Sequence, residues 1–375
     1  MSTASTVRKF LFPLHLWVGL TLGIVIVLIG LSGSIGVFDR LFSEPPTVQV
    51  TPASTPALNK GLAAARAAVG APQWANASIT LPKGVHDPVI ISFGDQLPDV
   101  ATDPSTGQVL ATYIVREPAW FTAILRFHGG LLLPGPTGGI VEGWLGLAMI
   151  FLGLTGLYLW WPKTGRWKYA FIVRRTAKGL RFHRELHGAA GIWALVIYLL
   201  VTTTGLVYGF PETTDAVIKF VTGETNPRLH VHKPPTVPTS AGAAIIGPDA
   251  ALVTANKASG RPVLSLRMPG WKLGQPSLMP IIAQTDVGAM NRVYLDPYHN
   301  TIIPNPDPPN SAYNMEAALV RLHVAYDFGP IYTVLVFISG LMPLIFFVTG
   351  VVMWLKKRQA RLAMNQPIPD SAMEG

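Results

Sequence analysis

Four stretches of this chain are apolar for long enough to cross a hydrocarbon layer, which takes about 20 residues as a helix. They fall near 14–38, 139–161, 188–210 and 330–355. A chain of 375 residues with 49% hydrophobic and 13% charged content has the composition of a membrane protein. The first stretch is too long for the apolar core of a typical signal peptide, and no clear small-x-small cleavage site follows it. It is expected to remain as a membrane helix.

The four stretches repeat one pattern in two halves. Leu14-His15 opens the first stretch and Leu186-His187 opens the third. Each His is followed by a Gly four residues later (Gly19, Gly191) and by a hydroxyl-Gly pair farther on, Ser32-Gly33 and Thr204-Gly205. Arg126-Phe127-His128 and Arg321-Leu322-His323 precede the second and fourth stretches, which close on Thr155-Gly156 with Trp160 and Thr349-Gly350 with Trp354. The pattern reads as an internal duplication of a two-helix unit.

Basic residues set the expected orientation. The segment 162–187 carries Lys163, Arg166, Lys168, Arg174, Arg175, Lys178, Arg181 and Arg184; Arg8 and Lys9 lie near the amino end, and Lys356, Lys357, Arg358 and Arg361 open the tail 356–375. All belong on one face, which the positive-inside rule makes cytoplasmic, with both termini there. Segments 39–138 and 211–329 are then exported. Topology accounts for most of the net charge of +9, so the charge is no argument for nucleic acid.

Each exported segment reads as a small α/β module. Ala57 to Val69 and Pro248 to Ala258 are helix-prone, while Pro88 to Phe93 and Pro262 to Met268 are strand-like. Two hairpins share an Asp-Pro turn, Asp103-Pro104 and Asp296-Pro297, with Gly107 in one and Asn300 in the other. Both residue types tolerate positive φ. The fold expected is a mainly α membrane protein, a four-helix bundle with two small α/β modules.

His15 and His187 belong at the cytoplasmic ends of helices one and three, and His128 and His323 near the exported ends of helices two and four. An imidazole at a membrane edge can simply be wetted by headgroups. Four at repeated positions, two on each face, point instead to two metal centres, because opposed imidazoles give a six-coordinate iron suited to electron transfer. Gly19 and Gly191 would clear room beside a flat macrocycle. Arg126 and Arg321 run against the charge rule on the exported side; they suit the carboxylates of a haem, or equally lipid phosphate. His183, four residues before His187, is an alternative ligand to it. The chain has no cysteine, which excludes disulfides, Fe–S clusters and covalent haem, so haem here would be non-covalent. No dinucleotide or phosphate loop occurs, and the only acid in the apolar runs is Glu142 at an edge. Trp120, Trp160, Trp161, Trp193 and Trp354 read as interface markers.

These motifs resemble those of the PepSY-associated transmembrane family of bacterial iron-regulated inner-membrane proteins. Leu14-His15, Leu186-His187, the Thr-Gly-x-x-x-Trp endings and the Asp-Pro hairpins carry the resemblance, and Phe127 stands where Leu is usual. Within the family the arrangement is similar to the ferric-siderophore reductases, including the ferrioxamine-linked one. The resemblance implies b-type haem in a four-helix membrane unit and reduction of siderophore-bound iron. The expectation is thus two bis-His b haems that take electrons from a cytoplasmic reductant (a flavodoxin-like protein or flavin reductase) and deliver them to a periplasmic ferric siderophore. A quinol-linked cytochrome b with another periplasmic acceptor is the alternative within the same chemistry. A non-enzymatic membrane anchor binding a periplasmic partner, or a siderophore or metal transporter, would lie outside it.

Overall fold

A computed structural model describes residues 3–38, 46–94, 96–114, 118–162, 167–224, 235–240, 243–272, 274–285, 292–305, 311–325 and 328–364. Lys163 and Arg166 of the expected basic loop, and residues 365–375 of the expected tail, lie outside them. The chain divides into two compact units. One comprises Met1–Asp39, Ala119–Thr214 and Leu319–Gly375; the other comprises Arg40–Pro118 and Asp215–Ala318.

The first unit is helical. Helices α1 (Thr3–Gly36), α4 (Thr137–Trp160), α6 (Gly179–Gly209) and α10 (Gly329–Met364) are each long and apolar enough to cross a membrane. Helix α6 begins at Gly179, ahead of its apolar run, so His183 and His187 are both helical. Helix α1 packs against α10 and α4, and α6 packs against the same two, so α1 and α6 face each other across the bundle. Small residues let the backbones close. Gly30 of α1 meets Gly340 of α10, and Gly143 of α4 meets Gly209 of α6. The segment between α4 and α6 includes a short helix, α5 (Trp167–Ala170). Trp160 Nε1 donates to the Ala170 carbonyl at 3.1 Å and Trp193 Nε1 to that of Phe171 at 2.9 Å. Glu185 accepts from the Arg174 main chain at 3.0 Å and from Arg181 Nε at 2.9 Å, and pairs with the Arg174 guanidinium. Two of the expected interface tryptophans therefore also tie this segment down.

Two short helices carry the remaining site residues. These are α3 (Ala119–His128) and α9 (Ser311–His323). The sequence places His128 and His323 just ahead of the second and fourth membrane runs, near their exported ends; there each ends a short helix of its own. Positive φ at Leu131, Leu132 and Gly135 on one side, and at Ala325 and Gly329 on the other, breaks the chain before the long helix starts. Helix α3 packs on α1.

The second unit is an antiparallel sheet with helices on one face. Strands β1 (Ala77–Thr80), β2 (Val89–Ser92), β3 (Asp99–Thr102) and β4 (Val109–Tyr113) come from segment 39–138. Strands β6 (Ser265–Met268), β8 (Ile281–Gln284), β9 (Arg292–Leu295) and β10 (Ile302–Ile303) come from segment 211–329. They form one eight-stranded sheet in the order β10-β9-β8-β6-β1-β2-β3-β4. The seam is the β1/β6 ladder, where Ala77 faces Met268 and Thr80 faces Ser265. The two modules expected from the sequence thus share a sheet and a core. A separate pair, β5 (Val237–Pro238) with β7 (Ser277–Leu278), completes the strands among the described residues.

Helices α2 (Leu58–Val69) and α8 (Pro248–Ser259) cover the apolar face, and α7 (Pro211–Thr222) follows α6 in the chain. Leu58, Ile79, Ile91, Val100, Leu266, Ile281 and Leu295 are core residues there. The two helices cap one another. Asp249 Oδ1 accepts from Leu58 N at 2.7 Å and Asn59 N at 3.3 Å, and Asn59 Oδ1 accepts from Asp249 N at 3.2 Å. Each side chain thus meets first-turn donors that its neighbour's helix leaves open. The two Asp-Pro turns match as well. Gly107 N donates to the Asp103 carbonyl at 2.9 Å and Asn300 N to that of Asp296 at 3.1 Å, with φ of 72° and 55°.

Candidate functional site

The first unit gathers four imidazoles into two pairs. His15 of α1 and His187 of α6 approach across the bundle, with ring centres 6.3 Å apart and planes at 73°. His128 of α3 and His323 of α9 lie with ring centres 6.0 Å apart and planes at 20°. All four are half-buried. His183 is not in either pair; its ring packs edge-on against Phe182 at 5.4 Å, and its Nδ1 is buried without a hydrogen-bond partner among the described residues.

Hydrogen bonds show which ring nitrogen holds the proton. His15 Nδ1 lies 2.9 Å from Thr155 Oγ1, and His187 Nδ1 lies 2.8 Å from Thr349 Oγ1. Each hydroxyl gives its single proton to a carbonyl one turn back, Thr155 to Phe151 at 2.7 Å and Thr349 to Ile345 at 2.6 Å. The hydroxyl oxygen is then an acceptor, so the imidazole Nδ1 must be the donor. At the other pair the acceptors are carbonyls, which only accept. His128 Nδ1 donates to Ile29 at 3.0 Å, and His323 Nδ1 donates to Val201 at 2.9 Å. In all four rings Nδ1–H faces the framework. Nε2 is the nitrogen left with a lone pair for a ligand.

The hydroxyl-Gly pairs read from the sequence turn out to seat the second pair. Ser32 Oγ lies 3.3 Å from His128 Nδ1, and Thr204 Oγ1 lies 3.5 Å from His323 Nδ1. A Cβ on Gly33 would fall 2.6 Å from His128 Cε1, and one on Gly205 would fall 2.8 Å from His323 Cε1. Only glycine leaves room for those rings. A Cβ on Gly19 or Gly191 would touch one side-chain atom at 3.9 Å, an ordinary van der Waals contact.

Burial pushes His128 below the usual imidazole range. It pushes His323 down to about 4, with His128 as a second cause. Both rings are therefore neutral at ordinary pH, as metal ligation requires. Arg126 is exposed on the last turn of α3. Arg321 lies over the Phe328 ring, 5.8 Å from its centre. Glu142 sits in the second turn of α4 with Oε1 buried and without a hydrogen-bond partner among the described residues. Counting back from Thr155 and Thr349 alike, the other half has buried Val336 in its place.

The sequence motifs pointed to the histidines but not to what holds them. Thr155 and Thr349 stand out only as part of a repeated Thr-Gly ending, and their partners lie 140 and 162 residues away. Among the described residues no group of three or more His, Asp or Glu side chains forms a site for a metal ion. Each pair therefore offers two side-chain ligands, which suits an iron already held in a macrocycle rather than a four-ligand zinc site.

A four-helix membrane unit with histidines paired inside it, joined to a helix-backed antiparallel sheet, defines the class of protein. The model of the PepSY-associated TM region matches residues 12–357, and the chain belongs to that family. A comparison with curated protein sequences found no match.

Proposed function

We propose that this protein transfers electrons across the bacterial inner membrane and reduces ferric siderophore in the periplasm, releasing ferrous iron. In this reading His15 and His187 hold one b-type haem, and His128 and His323 hold a second. Each haem, when bound, supplies a reversible one-electron couple.

The imidazole pairing carries the proposal. A metal about 2 Å from each of two opposed imidazole nitrogens keeps the ring centres about 6 Å apart, and the observed separations are 6.3 and 6.0 Å. Edge-on aromatic contacts can have similar spacing. What favours ligation is the common polarity of the four rings, with every Nδ1 donating to the framework. A histidine that ligates a metal through one nitrogen is ordinarily fixed through the other in this way.

The remaining residues fit that role. Along α1, His15 and Ser32 are 17 positions apart, which at 1.5 Å per residue separates the two levels by about 25 Å. Arg126 and Arg321, two residues before His128 and His323, are suited to bind propionate carboxylates. The duplicated unit accounts for the matched ligands, and the sheet halves are read as two periplasmic PepSY modules. Lys168, Arg175, Lys178 and Arg184 lie on the face read as cytoplasmic, where they would favour an acidic reductant such as a flavodoxin. Oxygen-donor siderophores bind ferric iron more tightly than ferrous, so one electron loosens the chelate.

The test is a reduced-minus-oxidised spectrum of the purified protein with haem quantified per chain, followed by re-oxidation with ferric siderophores. Two haems per chain and oxidation by a ferric chelate are expected. A colourless protein from haem-replete cells would reject the reading. Haem reduced by quinol that no ferric chelate re-oxidises would transfer the protein to another periplasmic acceptor.

A further inference from the structure

The two imidazole pairs differ in what receives the Nδ1 proton. His15 and His187 donate to side-chain hydroxyls, Thr155 at 2.9 Å and Thr349 at 2.8 Å, and at His187 the Phe346 carbonyl is a second partner. His128 and His323 donate to main-chain carbonyls, Ile29 at 3.0 Å and Val201 at 2.9 Å. At that second pair the nearby hydroxyls also donate to those carbonyls, Ser32 at 2.9 Å and Thr204 at 3.0 Å. Hydroxyls thus act as acceptors at one pair and as fellow donors at the other.

This difference has a chemical consequence. An amide carbonyl accepts more strongly than an alcohol oxygen, so it draws the Nδ1 proton further and makes the ring more electron-rich at Nε2. A more electron-rich axial imidazole favours ferric over ferrous iron. The hydroxyl-bound pair should therefore hold the more easily reduced iron.

We infer that Thr155 and Thr349 are positioning residues that fix His15 and His187 with Nδ1 protonated and set that centre at a higher reduction potential than the His128/His323 centre. The statement about potential rests on the haem reading above. The statement about the proton does not, because it concerns the rings themselves.

Two measurements test it. Spectroelectrochemical titration of the haem-loaded protein should resolve two waves, the upper lost in His15→Ala and the lower lost in His323→Ala. Thr155→Val removes the acceptor and should move the upper wave higher while leaving the lower one in place; Thr155→Ser should restore it. A single wave, the reverse assignment, or a Val variant with unmoved waves would overturn the claim about potential. In haem-free protein, nitrogen NMR of labelled histidine should find His15 and His187 protonated at Nδ1. Thr155→Val should return His15 to the Nε2-protonated form that free imidazole prefers, whereas in Thr349→Val the Phe346 carbonyl remains as an acceptor for His187. Wild-type protein with Nε2–H at both rings would overturn the positioning role, whether or not haem binds. A colourless protein would end the claim about potentials together with the haem reading, and the NMR result would still decide the role of the hydroxyls.

Discussion

His128 closes on Gly33 so tightly that a methyl group on the glycine would stand 2.6 Å from the imidazole Cε1. Nothing flexible can give way on the glycine side, because the contact is with the α1 backbone itself. Gly33→Ala should therefore push the ring off its Ile29 acceptor, at a cost of about 1–3 kcal/mol for overpacking. If the pair binds haem, haem per chain should fall by about half, as an axial ligand lost at one centre leaves the other intact. Gly205→Ala should act alike through His323. Full haem content in both variants, by absorbance per chain, would show that these rings are not ligands.

His183 and His187 are one helical turn apart on α6, yet only His187 meets His15. His183→Ala should leave the haem spectrum and stoichiometry unchanged, whereas His187→Ala should remove about half the haem by loss of an axial ligand. The reverse outcome would exchange their roles. Equal loss in both would mean that α6 has shifted as a whole.

The histidines were legible because repetition marks them. A single His near an apolar run means little, but His15 and His187 share their following Gly and their distance to a hydroxyl-Gly pair. The Asp-Pro turns were legible because the backbone geometry they need is local. What the sequence concealed is non-local. The Thr155 and Thr349 acceptors belong to the opposite ends of motifs whose partners lie in other helices. Helices α3 and α9 were not legible as helices: the sequence places Arg126 to His128 and Arg321 to His323 just ahead of the second and fourth spans, with no helix read there. Strands β1 and β8 were not read from the sequence. The β1/β6 seam joins Ala77 to Met268, and no local pattern in either strand names its partner.

The reciprocal caps should couple the two halves of the sheet unit energetically. Asp249→Ala strands the Leu58 and Asn59 amides, and Asn59→Ala strands that of Asp249. Each change should cost about 1 kcal/mol, the usual value for a lost cap. The double variant should lose less than the sum, by about 0.5 kcal/mol or more, because the residues share one network. Thermal unfolding of the four proteins of the cycle measures this. Strict additivity would mean that the two caps act independently.

Asp103 makes the sheet unit acid-sensitive. Burial alone would raise its carboxyl. Hydrogen bonds outweigh that: Thr51 N at 2.7 Å, Ser105 N and Oγ at 2.9 and 2.8 Å, and Thr106 N and Oγ1 at 2.9 and 3.1 Å hold it well below the usual carboxylate range. A carboxyl with a lower pKa folded than unfolded adds stability above its unfolded value, near 4, and loses it as the pH falls towards the folded value. Asp296 is lowered in the same direction, with burial again opposing the amides of Tyr298 and His299. Asp103→Ala should destabilise the unit at pH 7 by roughly 1–3 kcal/mol, the cost of stranding buried donors. Lowering the pH below 4 should narrow the gap to wild type, because only the wild type loses a charge-assisted network there. Unfolding midpoints of both proteins from pH 7 to pH 3 measure that gap. A gap that stays constant or widens in acid would mean that the Asp103 carboxylate contributes no charge-dependent stability.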